Sequence, residues 1–243
     1  MATSSHSRTL YVGTSGFAFP EWKGVFYPPG TKDREMLAYY ATRFHSVEVN
    51  YTFRRDPTPK SVEAWAAAAP EDFRFVLKAN QRITHYRRLT DPEPALAFLE
   101  AVAPLGERLG PILFQCPPQM KREPGRLEAF LDALPTEHRY AFEFRHSSWD
   151  EETPLLAARG AAWVISDTDE QPWEGGELPI GPFDYLRLRR AEYDPKAISA
   201  WGARIGAVLR AGSDVFCFVK HEDDAAGPSL ALAFQEAALA AAS

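Results

Sequence analysis

The sequence predicts an α/β protein, a single (β/α)8 barrel of the TIM type with parallel strands, and three observations carry that expectation. Eight short runs rich in β-branched and aromatic residues recur along the chain, helical patterns separate most of them, and polar or charged side chains gather at the ends of the runs rather than at their starts. Alternating strand and helix makes a parallel sheet, either open and doubly wound or closed on itself, and a count of eight favours closure.

The elements follow in order. Leu10 to Gly13 is the first strand, Arg34 to Phe44 the first helical pattern and Ser46 to Asn50 the second strand. Lys60 to Ala69 is helical behind Pro59, at a first-turn position where a missing N–H costs little, and strand Phe73 to Lys78 follows. Ala95 to Leu109 reads as a helix behind Pro94, ahead of strand Pro111 to Gln115. Helix Arg126 to Leu134 precedes strand Tyr140 to Arg145, and a short helix near Leu155 to Arg159 precedes strand Ala162 to Asp167. Thr168 to Pro182, rich in Gly, Pro and acids, reads as an irregular loop in place of the helix between strands six and seven. Strand Tyr185 to Arg189, helix Lys196 to Arg210 behind Pro195, strand Val215 to Lys220 and helix Leu230 to Ala242 behind Pro228 complete the series. With no linker and no repeat of solenoid length, residues 1–243 are expected to form one domain, with a frayed start over 1–8.

Composition narrows the function. A formal charge of −6 argues against broad nonspecific affinity for nucleic acid, while leaving a local basic cleft open. Cys116 and Cys217 sit in apolar runs, which favours buried thiols in a reducing compartment, so a cytoplasmic location is expected. No stretch approaches the roughly 20 apolar residues that cross a bilayer, so no membrane association is expected. No obligate protein partner is evident.

Four strands carry the main clue: Val47-Glu48-Val49-Asn50, Leu77-Lys78-Ala79-Asn80, Phe142-Glu143-Phe144-Arg145 and Leu186-Arg187-Leu188-Arg189. Successive side chains on a strand alternate between faces, so each run is greasy on one side and charged or polar on the other. A buried ion costs several kcal/mol unless it is paired, so such strands should bring their charges together. In a barrel of this class the meeting place is the C-terminal mouth.

Gly13-Thr14-Ser15-Gly16, Trp22-Lys23-Gly24 with Phe26-Tyr27-Pro28, Val47-Glu48-Val49-Asn50 with Thr52-Phe53, Phe75 to Ala79, Thr84-His85, Gly110 to Gln115 with Pro117-Pro118, Glu143-Phe144-Arg145-His146 with Ser148-Trp149, and Asp167 form a series of motifs. Together they resemble the YecE-like family, known as domain of unknown function 72. The resemblance runs from Leu10 to the last helix and implies a (β/α) barrel without implying a chemistry. Two places depart from it. Arg187-Leu188-Arg189-Arg190 lacks the histidine of the family's Tyr-x-Arg-x-His-Gly run, and Lys220-His221-Glu222-Asp223 stands where many members have Asn-Asn-Asp.

The strand ends nominate Glu48, Lys78, Glu143, Arg145 and Asp167 as catalytic residues. Gly13, Ser15, Trp22, Asn50, His85, Gln115, His146, Trp149, Arg187 and His221 are nominated for substrate binding. Arginine forks suit planar anions, so Arg145, Arg187 and Lys78 are the anion candidates, with the Gly13 to Gly16 turn as a backbone N–H nest. Loop aromatics, Trp22 foremost, could form a wall, whereas Trp65, Trp163 and Trp201 read as packing. The expected activity is that of a hydrolase-like enzyme on a phosphate-bearing substrate such as a sugar phosphate, nucleotide or nucleic-acid phosphodiester. Two alternatives stay open: a glycoside hydrolase using Glu48 and Glu143, and a noncatalytic barrel that binds nucleic acid or a small anion. No cofactor is assigned; a divalent metal held by His85, His146, His221, Glu48, Glu143 and Asp167 is also left open.

Overall fold

A computed structural model describes residues 9–123, 125–178, 181–220 and 225–243. Its eight strands are β1 (Leu10–Thr14), β2 (Ser46–Val49), β3 (Arg74–Lys78), β4 (Leu109–Gln115), β5 (Tyr140–Glu143), β6 (Ala162–Asp167), β7 (Asp184–Leu188) and β8 (Val215–Val219). All pair in parallel, in the order β1-β8-β7-β6-β5-β4-β3-β2. The ends of that order are β1 and β2, which close the barrel through a bridge between Ser15 and Glu48.

That seam explains Gly13. A Cβ on Gly13 would lie 2.1 Å from the Ser46 carbonyl oxygen and 2.8 Å from the Tyr40 hydroxyl, so only glycine lets the two strands approach. Tyr40 replaces ladder bonds that the seam lacks: its hydroxyl accepts from the Thr14 N–H at 2.8 Å and lies 3.3 Å from the Ser46 carbonyl. Gly13 is therefore a closure residue rather than part of an anion nest. The neighbouring N–H groups are also spoken for, Ser15 by the Val219 carbonyl and Gly16 by the Thr14 carbonyl.

Helices cover the outside: α1 (Asp33–Tyr40), α2 (Pro59–Ala68), α3 (Glu93–Val102), α4 (Arg126–Asp132), α5 (Thr153–Ala158), α6 (Pro195–Ala211) and α7 (Ala226–Ala242). The helix expected over Ala95 to Leu109 ends early. Pro104 has no N–H to continue α3, a 3-10 segment takes over from Ala103 to Arg108, Gly106 turns the chain at φ 54°, and Leu109 already belongs to β4. Between β6 and β7 the described residues contain no helix, as the Gly, Pro and acid content predicts. No helix of the described residues is long and apolar enough to cross a membrane.

Two apolar layers result from the period-2 alternation. Tyr11, Val76, Leu113, Ala141, Val164 and Phe216 are among the residues that fill the barrel interior, while Val47, Phe75, Phe142, Ile165 and Leu186 face the helices. The interior fill ends below the C-terminal mouth, and there the polar side chains begin.

Candidate functional site

Glu48 lies at the centre of the site, on β2 beside the seam, with no solvent exposure. Its Oε1 accepts from the Ser15 hydroxyl at 2.9 Å, Asn50 Nδ2 at 3.2 Å and Arg187 Nη2 at 2.8 Å. Its Oε2 accepts from the Tyr185 hydroxyl at 2.7 Å and Arg187 Nε at 2.9 Å. Burial alone would raise its pKa. The charge and hydrogen bonds of Arg187, with help from Arg189 and Tyr185, outweigh that and hold the carboxyl at about 2.

Arg187 joins this carboxylate to the next one. The same guanidinium, 2% exposed, donates through Nη1 to Glu143 Oε2 at 2.6 Å. Gln115 Nε2 reaches that same oxygen at 2.8 Å, while Arg145 Nε binds Oε1 at 3.0 Å. Glu143 is likewise held at about 2, burial being outweighed by Arg187, Arg145 and Gln115. Arg187 was expected to hold a ligand anion; instead three of its nitrogens are committed to two protein carboxylates in a dry interior. Two carboxylates kept ionised supply no general acid, so the pair does not fit glycoside cleavage.

Above this clamp the mouth is cationic. Lys78 Nζ donates to the Gln115 amide oxygen at 2.6 Å and lies 4.0 Å from the centroid of the Phe53 ring, with no carboxylate within 4.0 Å among the described residues. Burial and the Arg187 charge lower its pKa to about 8, against the opposing pull of Glu48 and Glu143. Arg145 is 44% exposed and uses only Nε on Glu143. Arg189 donates from Nη1 to the neutral Ser15 hydroxyl at 3.1 Å, and burial together with the Arg187 charge lowers its pKa. His85 stands on a single wide π-type turn, Arg82–Tyr86, with its ring 5.0 Å from Phe53. Burial, Lys78 and Arg145 lower its pKa below 6.5, so it is neutral at pH 7. Lys78, Arg145, Arg187 and Arg189 thus face Glu48 and Glu143 with two positive charges in excess.

Glu48, Lys78, Glu143, Arg145, Ser15, Asn50, His85 and Gln115 are brought together as the sequence predicts. Asp167 is not. Val164 belongs to the interior cluster, so by alternation Ile165 and Asp167 face outward. There Asp167 Oδ1 accepts from Arg190 Nε at 2.9 Å and Nη2 at 2.7 Å and from the Trp173 N–H at 2.7 Å, and Oδ2 accepts from the Tyr193 hydroxyl at 2.9 Å. It anchors the loop after β6.

Trp22 is fully buried against Phe19, Phe26 and Tyr27, a loop core rather than a ligand wall. Trp149 is buried too, stacked 4.2 Å from Phe144 with its indole N–H on the Met120 carbonyl. His146 Nδ1 accepts from the Ser148 N–H and caps the turn that follows. His221 lies outside the described residues. Among those that are described, no three His, Cys, Asp or Glu side chains gather closely enough to hold a metal ion.

Sequence reasoning missed Tyr185 and Phe53 and gave Arg189 too little weight. Tyr185 and Arg189 were within reach, since they share the interior parity of Arg187 at two residues either side. Phe53 had no such signal, because it joins the site through a short turn after β2.

The profile of the family described as "Protein of unknown function DUF72" matches residues 11–242. Among curated proteins, YecE of Escherichia coli K12 is 32% identical over 168 residues, 65% of this chain and 59% of that protein. YunF of Bacillus subtilis is 28% identical over 183 residues, 70% of this chain and 64% of that protein. The matched region thus spans less than two thirds of the length of these relatives. Among solved structures, a DUF72 family protein from Thermotoga maritima superposes with a TM-score of 0.79 at 29% identity, covering 94% of this chain and 98% of its own. One from Enterococcus faecalis, at 19% identity and a TM-score of 0.69, shares the fold.

Proposed function

The chain belongs to the DUF72 family, and from that premise we propose that the barrel mouth is an anion site at which a phosphate-bearing substrate is hydrolysed. One observation carries the reading. The Glu48–Arg187–Glu143 clamp commits its own charges internally, and Lys78, Arg145 and Arg189 are left above it with donors not taken up by protein carboxylates. Such donors, fixed in advance and partly desolvated, suit the spread negative charge of a phosphoryl group in transit. Arg145 and Arg189 hold phosphoryl oxygens. His85 and Lys78, which flank Phe53, handle protons: neutral His85 takes one from the attacking water, and the Lys78 ammonium gives one to the departing oxygen as the P–O bond breaks. Glu48 and Glu143 position the cations.

A screen of phosphate monoesters and diesters with and without divalent metal tests this. Turnover is expected in wild type and a loss of about 100-fold or more in Lys78→Met and in His85→Ala, the usual scale for a proton-transfer group. Undiminished turnover in both variants refutes the assignment. Saturable phosphate binding that weakens with salt, without turnover of any ester, would replace it with a noncatalytic anion receptor.

A further inference from the structure

Beside the charged mouth opens a pocket of about 580 Å³ whose walls include Phe17, Phe19, Tyr51 and Trp65. Among its lining residues none carries a charge at neutral pH. It is continuous with the anion site through two shared side chains, Ser15 and Asn50. Ser15 donates to Glu48 and accepts from Arg189, so the pocket wall stands one side chain away from a cation of the mouth.

The rings are held from behind. Trp65 packs near-parallel on Phe75 at 6.1 Å, and Phe19 packs on the buried Trp22 at 4.7 Å. Gly16, at φ 106°, lets Phe19 lie against the backbone, since a Cβ there would meet that ring at 2.7 Å. Tyr51 closes the outer side with 54% of its surface exposed. Rings so supported form a pocket before any ligand arrives, with a volume in the usual small-molecule range.

Its chemistry discriminates among phosphate esters. A sugar would bring hydroxyls that need partners, yet Ser15 is used by Glu48 and Arg189, and Ser61 is used in capping α2 through Thr58. Desolvating several hydroxyls against aromatic rings without hydrogen bonds is unfavourable. A planar ring gains from those faces. The remaining polar side chains are the exposed Tyr51 hydroxyl, at the outer side, and Asn50, whose Nδ2 is fixed on Glu48 and whose Oδ1 is buried without a hydrogen-bond partner. A small rotation of the amide would let that oxygen accept from a ring N–H.

We propose that this pocket is the subsite for a planar aromatic ring carried by the phosphate-bearing substrate, which makes the ligand an aryl or nucleoside monophosphate. The proposal rests on the anion reading of the mouth and adds to it the class of the leaving group.

Calorimetric titration of the full chain with inorganic phosphate, glucose 6-phosphate, phenyl phosphate and adenosine monophosphate tests it. Both aromatic esters are expected to bind about tenfold or more tighter than inorganic phosphate and than the sugar phosphate, as one stacked ring provides. Tyr51→Ala, at an exposed position, should cut that advantage to about threefold or less, and indole fluorescence quenched by the aromatic esters should lose the quenching in Trp65→Phe. A further gain of the nucleotide over phenyl phosphate that disappears in Asn50→Ala would identify a heterocyclic ring; equal affinities would identify an aryl group, and both outcomes uphold the subsite. A sugar phosphate that matches the aromatic esters, or an advantage that survives Tyr51→Ala, overturns the subsite while phosphate binding keeps the anion reading intact. If inorganic phosphate and all three esters fail to bind, both fall.

Discussion

Replacing Arg187 with methionine removes three hydrogen bonds to two buried carboxylates, leaving Glu48 with no ion-pair partner among the described residues and Glu143 with only the half-exposed Arg145. Stripping one partner from a buried ion pair costs about 3–5 kcal/mol, and here two carboxylates are exposed to that loss, so about 4–6 kcal/mol is expected at pH 7. For a chain of this length that lowers the melting midpoint by roughly 8–24 °C. The loss should depend on pH. In wild type both folded pKa values lie near 2, below the ordinary carboxyl value of 4.5, so the stability they contribute is present above about pH 4.5 and is lost as pH falls through about 2. Without Arg187 the buried carboxyls favour protonation, their folded pKa values rise above the unfolded ones, and the variant's deficit shrinks toward pH 4. Urea unfolding followed by circular dichroism at pH 7 and pH 4 measures both quantities. Adding Glu48→Gln and Glu143→Gln to the variant should recover most of the loss, since the stranded charges are then gone. A variant within about 1 kcal/mol of wild type at pH 7, or with the same deficit at both pH values, would refute the reasoning.

Two further outcomes follow from displaced pKa values. Sulfate, whose charge is constant across the range, should bind more weakly as pH rises through about 8, approaching tenfold per pH unit as the Lys78 ammonium is lost, and Lys78→Met should abolish that slope; wild-type affinity flat to pH 10 would remove Lys78 from the anion site. Asp184 on β7 has its pKa raised to about 6 by burial, against the opposing hydrogen bonds from Ser213 and the Gly181 backbone, so its contribution is full below pH 3.8 and is lost as pH rises through 6. Asp184→Asn should therefore raise the melting midpoint at pH 8, by up to about 3 kcal/mol of stability, and not at pH 3.5; melts showing the larger gain in acid would contradict this.

Much of the site is legible along single strands. Glu48 and Glu143 stand out because Val47 and Val49, or Phe142 and Phe144, flank them on the opposite face, and Lys78 and Arg187 follow the same parity. Asp167 misleads for a physical reason. Its strand, Ala162 to Asp167, is apolar on both faces through Ile165, as parallel strands buried on both sides are, and then ends on two polar residues of opposite parity, Ser166 and Asp167, so nothing local says which of them points inward. Trp22 and Trp149 mislead differently: a loop tryptophan that fills a small core and one that walls a pocket have the same sequence signature, and only packing separates them. Trp65 is the converse, a helix residue expected to serve packing that also faces the aromatic pocket.

The sequence by itself determined the strands, their order and the presence of charged side chains at their C-terminal ends, because alternation and helical spacing are properties of neighbours a few residues apart. Which of those charges are free was decided by the tertiary structure alone. Arg187 finds Glu48 across 139 positions of chain and Glu143 across 44, and those two pairings convert one of the expected anion-binding side chains into an internal clamp. Lys78, Arg145 and Arg189 stay above it with donors that no protein carboxylate takes up. The partner of a buried charge is whichever group closure of the barrel brings within hydrogen-bond reach, and that distance is written in no single segment.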